Sequence, residues 1–323
     1  MRGRGRWRGV LAAAVVVLLA VALTGAGVSP VSFPATAAAD PTTPAASAAP
    51  GSTTVDALAT AVAEAQAAAE AEAAAEVAAS VEAVTSAVGA VDAIAVEAGV
   101  WVGVAVLDRV TGEIAVGAEG AKPIAAASLT KLYTVVDVLT RAAAGQIALA
   151  DADQRLILRA LTASDDGAMN ALWSRFGGSA TVAGAIAVAG LRDSRPPSDP
   201  SQWGEAVVSA RDLVVLYDYV LTHMKPADRD LVMGALTASP DVAADGFHQD
   251  FGLFAPPRRP GVAAKQGWMW WGPTFYLHSA GTLGPDGRYV VAIESTSRSS
   301  AVGRATVNRA AAEERLVLSI ATT

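Results

Sequence analysis

The chain has 323 residues, with 24 Lys and Arg against 31 Asp and Glu, three His and no Cys, for a formal net charge of −7. That length can bury a sizeable core as one large domain or two small ones, and an apolar content of 52 % argues against wholesale disorder. The lack of Cys excludes disulfides, thiol catalysis and Cys-based zinc sites. The acidic balance, with no basic run beyond the extreme N-terminus, argues against nucleic-acid binding.

Residues 1–39 read as an export signal. Arg2, Arg4, Arg6 and Arg8 are followed by an unbroken apolar run from Val10 to Leu23, then by small residues around Ala37 and Ala39 that suit signal peptidase. The run is shorter than the roughly 20 residues of a spanning helix, so the expectation is a cleaved signal and a secreted chain. An uncleaved membrane anchor is the alternative. Residues 40–54 are a Pro/Thr/Ala/Ser linker. Residues 55–89 form an Ala/Glu-rich helix or stalk; the helical composition itself runs on to about residue 98 without a Pro. Val77, Val81, Val84, Val88 and Val91 recur at spacings of four and three. That stripe predicts an amphipathic helix laid on the following domain, with a short coiled-coil stalk as the competing reading.

Residues 90–323 read as one α/β domain of α+β type. Val100, Val102, Val104 and Val106 open a strand that turns through Asp108 and Gly112 into Ile114-Ala115-Val116. Helical patterns follow over 129–143, 152–175, 181–189, 210–221 and 227–236. Strand patterns return at 262–264, 275–277 and 289–293, and a closing helix runs over 305–320. The order predicts an antiparallel five-stranded sheet flanked by N- and C-terminal helices, with an inserted all-helical lobe and a groove between sheet and lobe.

Three short motifs fall on this frame. Ser128-Leu129-Thr130-Lys131 stands where a loop enters a helix, which places a hydroxyl at the positive end of the helix dipole with an amine one turn away. A neutral Lys amine in reach can take the Ser proton and so make an oxygen nucleophile without His or Cys. The bland reading is an N-cap Ser beside a solvated Lys. Ser164-Asp165-Asp166 lies inside a helical pattern, and Lys265-Gln266-Gly267 on the first returning strand.

The ordered set resembles the Ser-x-x-Lys, Ser-Asp-Asn and Lys-Thr-Gly trio of class A β-lactamases and penicillin-binding proteins. The resemblance implies that Ser128 is the acylated nucleophile, Lys131 its base, Ser164 the donor to the leaving nitrogen, and Lys265 an electrostatic and carboxylate-holding group. It also implies an oxyanion hole from the N–H groups of Ser128 and Trp268, substrate contacts at Asp166, Gln266, Gly267 and Trp268, and no metal or cofactor. The ligand would be a β-lactam or a peptidoglycan-type D-amino-acid peptide.

Three departures stand beside it. Asp166 replaces Asn and adds a charge that opposes a neutral Lys131. Gln266 replaces Thr. The stretch 190–209 lacks the Glu-x-x-Leu-Asn loop whose Glu activates the deacylating water, and its one Glu, Glu205, does not match that position. Slow deacylation is therefore expected. A non-catalytic cell-wall-associated binding protein and a Ser-Lys esterase are the competing functions.

The run Trp268-Met269-Trp270-Trp271 reads either as a cleft wall or as cover at a strand end. The three His show no paired-ligand spacing, and His278 reads as a satisfied structural residue.

Overall fold

The computed structural model describes residues 52–320. The predicted signal over 1–39, residues 40–51 of the linker predicted over 40–54 and the last three residues lie outside the described part; residues 52–54 of that linker are helical instead. Residues 61–320 belong to one unit. Helix α1 spans Ser52–Ala98 and continues unbroken past residue 89. Its residues 61–79 are exposed; from Ser80 onward one side is buried. Val84, Ala87, Val88 and Val91 enter the core, whereas Val77 and Val81 stay exposed. The valine stripe thus docks over its second half. Ser80 Oγ donates to Asp108 Oδ2 at 2.8 Å and fixes the point where packing starts.

The sheet is five-stranded and antiparallel, in the order β2-β1-β7-β6-β5. Its strands are β1 (Trp101–Asp108), β2 (Glu113–Val116), β5 (Ala264–Trp271), β6 (Thr274–Leu283) and β7 (Tyr289–Ser297). The two central faces are both covered, which explains why β1 and β7 read as nearly continuous apolar runs. Val102, Val104, Val106, Val291 and Ile293 face α1 and the closing helix α8 (Ser300–Ile320). Ala105, Leu107, Val290 and Ala292 face the helical lobe.

The lobe consists of α2 (Thr130–Ala143), α3 (Asp151–Thr162), α4 (Asp166–Phe176), α5 (Ser179–Ala189), α6 (Ala210–Thr222) and α7 (Pro226–Thr237). A two-stranded sheet of β3 (Ile124–Ala125) and β4 (Val207–Val208) joins the segment before α2 to the segment between α5 and α6.

Two boundaries differ from the sequence expectation. The helix expected over 152–175 is broken, because Asp165 caps α4 by accepting from the Ala168 N–H at 2.9 Å and Ser164 takes a left-handed φ of 53°. Short polar side chains of this kind offer the backbone an alternative to the helical ladder. The strand expected over 262–264 instead begins at Ala264 and runs to Trp271, carrying the whole third motif and the Trp-rich run. It turns at Gly272, where φ is 58°.

Candidate active site

Ser128 sits in a 3₁₀ turn, Ala127–Leu129, that runs directly into α2. Three contacts hold this turn in place. Ala126 N–H donates to the Ala206 carbonyl at 2.7 Å, and Leu129 N–H to the Ala126 carbonyl at 3.0 Å. The ring of His278 on β6 donates from Nε2 to the Ala125 carbonyl at 2.9 Å, because its Nδ1 accepts from the Ser295 N–H. Burial pushes His278 down to about 4, so it is neutral at pH 7 and serves as a strut, as its sequence reading expected. Ala127 has φ of 48°, a conformation that costs a residue with a Cβ about 1–2 kcal/mol. Such strain persists only where the surroundings over-determine it. Ser164 is the second left-handed residue with a side chain at this site.

The predicted polar residues meet in one cluster. Lys131 Nζ lies 2.6 Å from Ser128 Oγ, 2.8 Å from Asp166 Oδ1 and 3.4 Å from Ser164 Oγ. Lys265 Nζ donates to Ser164 Oγ at 2.9 Å and to the Gln266 carbonyl at 2.8 Å. Both amines are sealed from solvent, at 0 % exposure for Lys131 and 1 % for Lys265. Burial pushes Lys131 below its ordinary value, and the Asp166 carboxylate pulls in the opposite direction. Burial and the neighbouring Lys131 push Lys265 down strongly. Two lysines in one buried site therefore disfavour each other's charge.

Strand β5 lies at the sheet edge beside this cluster. The Lys265 N–H donates to Tyr217 Oη at 3.0 Å, and that hydroxyl donates to the carbonyl of Ala280, the residue across from Lys265. The Tyr217 hydroxyl thus bridges the ladder between β5 and β6. By the two-residue alternation of a strand, Trp268 directs its N–H to the opposite, outer edge. Gly267 lets β5 approach the Ser128 turn: a Cβ there would meet the Ala126 carbonyl oxygen at 3.1 Å and Leu129 Cγ at 3.3 Å. The close approach is therefore made by protein backbone, where the sequence suggested a ligand. Gln266 is buried, and its amide donates to the carbonyls of Gln249 and Phe251; it is not among the residues lining the cavity.

The cavity over Ser128 has a volume of about 310 Å³. Trp268 and Met269 of β5, Asp166 and Asn170 of α4, and Trp203 are among its lining residues. Trp203 had no sequence signal. Its indole N–H donates to Asn170 Oδ1 at 2.8 Å, its carbonyl accepts from Thr130 Oγ1 at 3.0 Å, and its ring lies 4.3 Å from Lys131 Nζ. Asp245 was also missed. It accepts from Trp268 Nε1 at 3.0 Å, while the Trp268 ring stacks on Phe247 at 4.7 Å. Glu205 lies in the turn after Trp203 and is not among the lining residues.

Solved structures similar to this chain include β-lactamases. One from Chitinophaga pinensis matches with a TM-score of 0.61 at 17 % identity, over 72 % of this chain and 99 % of that one. A class A representative from Bacteroides cellulosilyticus matches with a TM-score of 0.62 at 16 % identity, over 72 % of this chain and 98 % of that one. The fold is therefore that of the class A β-lactamases.

No protein-family model matches the chain. A protein named "Putative lipoprotein LppW", from Mycobacterium tuberculosis and from Mycobacterium bovis, is 39 % identical to it over 225 residues, which is 67 % of this chain and 70 % of the relative. The chain belongs to the LppW family.

Proposed function

We propose that the protein is an exported serine hydrolase or acyltransferase of the β-lactamase and penicillin-binding type. In this reading it acts through a Ser128 acyl-enzyme on a β-lactam or a peptidoglycan-like D-amino-acid peptide. The observation that carries the reading is the 2.6 Å contact between Ser128 Oγ and a buried Lys131 amine whose protonated form burial disfavours. Neutral Lys131 takes the Ser128 proton as Oγ bonds to the substrate carbonyl carbon. The carbonyl oxygen becomes an oxyanion facing the Ser128 and Trp268 N–H groups. When that intermediate collapses, the carbon–nitrogen bond breaks, and Ser164 passes a proton to the leaving nitrogen. Ser164 is resupplied by the amines on either side of it.

Deacylation needs a base for water, and general-base help is worth about 10²–10⁴ in rate. Among the described residues lining the cavity, the carboxylates are Asp166 and Asp245, and Asp166 is engaged by Lys131. Trp203 stands over Lys131 with no basic atom to offer. The adduct should accumulate.

Two observations support export and wall or membrane association: the signal-like residues 1–39 and the lipoprotein name of the relatives. With no Cys in the sequence, a Cys-linked lipid has no residue here to carry it. The Asp166–Lys131 ion pair favours a second reading, a binding protein on the same fold whose lysine is held charged. Incubation with a fluorescent penicillin or an activated aryl ester separates the two, because the enzyme gains the acyl mass on the Ser128 peptide and the binding protein does not.

A further inference from the structure

The cavity over Ser128 presents charge of one sign. Its ionisable lining residues, among those described, are Asp166 and Asp245; no Lys, Arg or His lines it. The two lysines of the site are not among the lining residues, and both amines are hydrogen-bonded within the protein. Lys131 contacts Ser128, Ser164 and Asp166, and Lys265 contacts Ser164 and the Gln266 carbonyl. The Gln266 amide, which could have met an anion, is turned to the carbonyls of Gln249 and Phe251. A carboxylate entering this cavity would lose its hydration and meet two like charges with no exposed cation to replace the water.

The same walls suit a cation. Trp203 and Trp268 both line the cavity, and each has its indole N–H satisfied within the protein, by Asn170 and by Asp245. That fixes the rings. The Trp203 ring already has the Lys131 amine against it, at 4.3 Å. Aromatic faces flanked by carboxylates are the chemistry that recognises alkylammonium groups.

We infer that the cavity takes acyl donors bearing an ammonium group a few carbons from the scissile carbonyl, and selects against donors bearing a carboxylate there. The inference rests on the acyl-enzyme reading above and narrows its substrate class on the acyl side of the scissile bond; the carboxylate of a β-lactam or D-amino-acid peptide lies on the leaving-nitrogen side.

The test uses three p-nitrophenyl esters of matched chain length: 6-(trimethylammonio)hexanoate, hexanoate and the monoester of adipate. Acylation of the full chain is followed as p-nitrophenolate release at low ionic strength. The ammonium ester should react at least tenfold faster than the adipate ester, with hexanoate between them, and added salt should shrink the ratio. The ratio should fall in Asp245→Asn and fall further in Asp245→Lys, both at an exposed loop residue. A ratio of one or below in the unaltered protein, or one unchanged in both variants, overturns the inference. Equilibrium binding of the matching amides to Ser128→Ala separates this outcome from a failure of acylation. If no ester acylates yet the ammonium amide binds more tightly than the carboxylate amide, the acyl-enzyme reading falls and the charge selectivity stands. If the ammonium amide has no advantage in binding, the selectivity is overturned as well.

Discussion

The Asp166 carboxylate accepts a hydrogen bond from the buried Lys131 amine at 2.8 Å, on the same nitrogen that touches Ser128. The pairing opposes the effect of burial, since a neighbouring negative charge favours the ammonium that cannot act as a base. Replacing Asp166 with Asn removes the charge and keeps a side chain of the same shape. The pKa of Lys131 should fall, so the neutral amine is present to lower pH. The acid limb of the acylation pH profile should then move to lower pH in Asp166→Asn, with a faster rate at neutral pH. An unmoved or oppositely shifted limb would show that Lys131 is not the base.

Ser164 touches both amines and holds φ at 53°, so the backbone strain falls on the proposed proton donor. Ser164→Ala keeps the Cβ and removes only the hydroxyl. We expect acylation to slow by about 10²–10⁴, the usual worth of a positioned proton donor, with the thermal transition little changed. Ser164→Gly relieves the backbone strain as well, so it should be at least as stable as the Ala variant and equally slow. Comparison of the two rates with the two melting temperatures checks both statements.

The architecture was legible because both faces of its central strands are buried, which writes Val-rich runs that local patterning detects at Val102–Val106 and Val290–Ile293. The motif residues were legible for a different reason: Ser128 and Lys131 are one helical turn apart, so their meeting is a local property. The break at Ser164 was not legible, because Ala163, Ser164 and Asp165 are each compatible with a helix and only the cap on Ala168 decides against it. Trp203 and Asp245 join the site through long-range packing, far in sequence from Ser128, and no periodicity links them to it. Gln266 was misleading in a similar way. Its place in the motif is on the edge strand, but its amide finds two buried carbonyls on the other side.

Glu314 sits on the buried side of α8 between Ala311 and Leu318, and neither of its carboxyl oxygens has a hydrogen-bond partner among the described residues. Burial pushes it from the ordinary 4.5 up to about 8. A carboxyl raised on folding contributes its full stability below the unfolded value and loses it as pH rises toward the folded one. The window is therefore about pH 4.5 to 8. Glu314→Gln stays neutral throughout, so it should match the native chain at pH 4.5 and be more stable at pH 8 by on the order of 4 kcal/mol. Urea titrations at the two pH values give both numbers.

Gly267 is the contact between β5 and the Ser128 turn. Adding a methyl group brings it to 3.1 Å from the Ala126 carbonyl oxygen and 3.3 Å from His278 Cδ2. Overpacking of this kind costs about 1–3 kcal/mol. Gly267→Ala should therefore lower the melting temperature and also slow acylation, because the strand that carries the Trp268 N–H is pushed from Ser128. A variant that loses stability yet acylates at the native rate would remove Trp268 from the oxyanion-binding role.

In the proposed reaction Ser128 becomes covalently acylated and the adduct persists. Intact-mass spectrometry of the native protein and Ser128→Ala, each mixed with a fluorescent penicillin and with p-nitrophenyl hexanoate and sampled over time, tests it most directly. The expected result is a single acyl mass on the native chain, located on the peptide containing Ser128, decaying slowly and absent from the variant. A native chain that takes no acyl mass and releases no product, or a variant that is labelled equally, would contradict it.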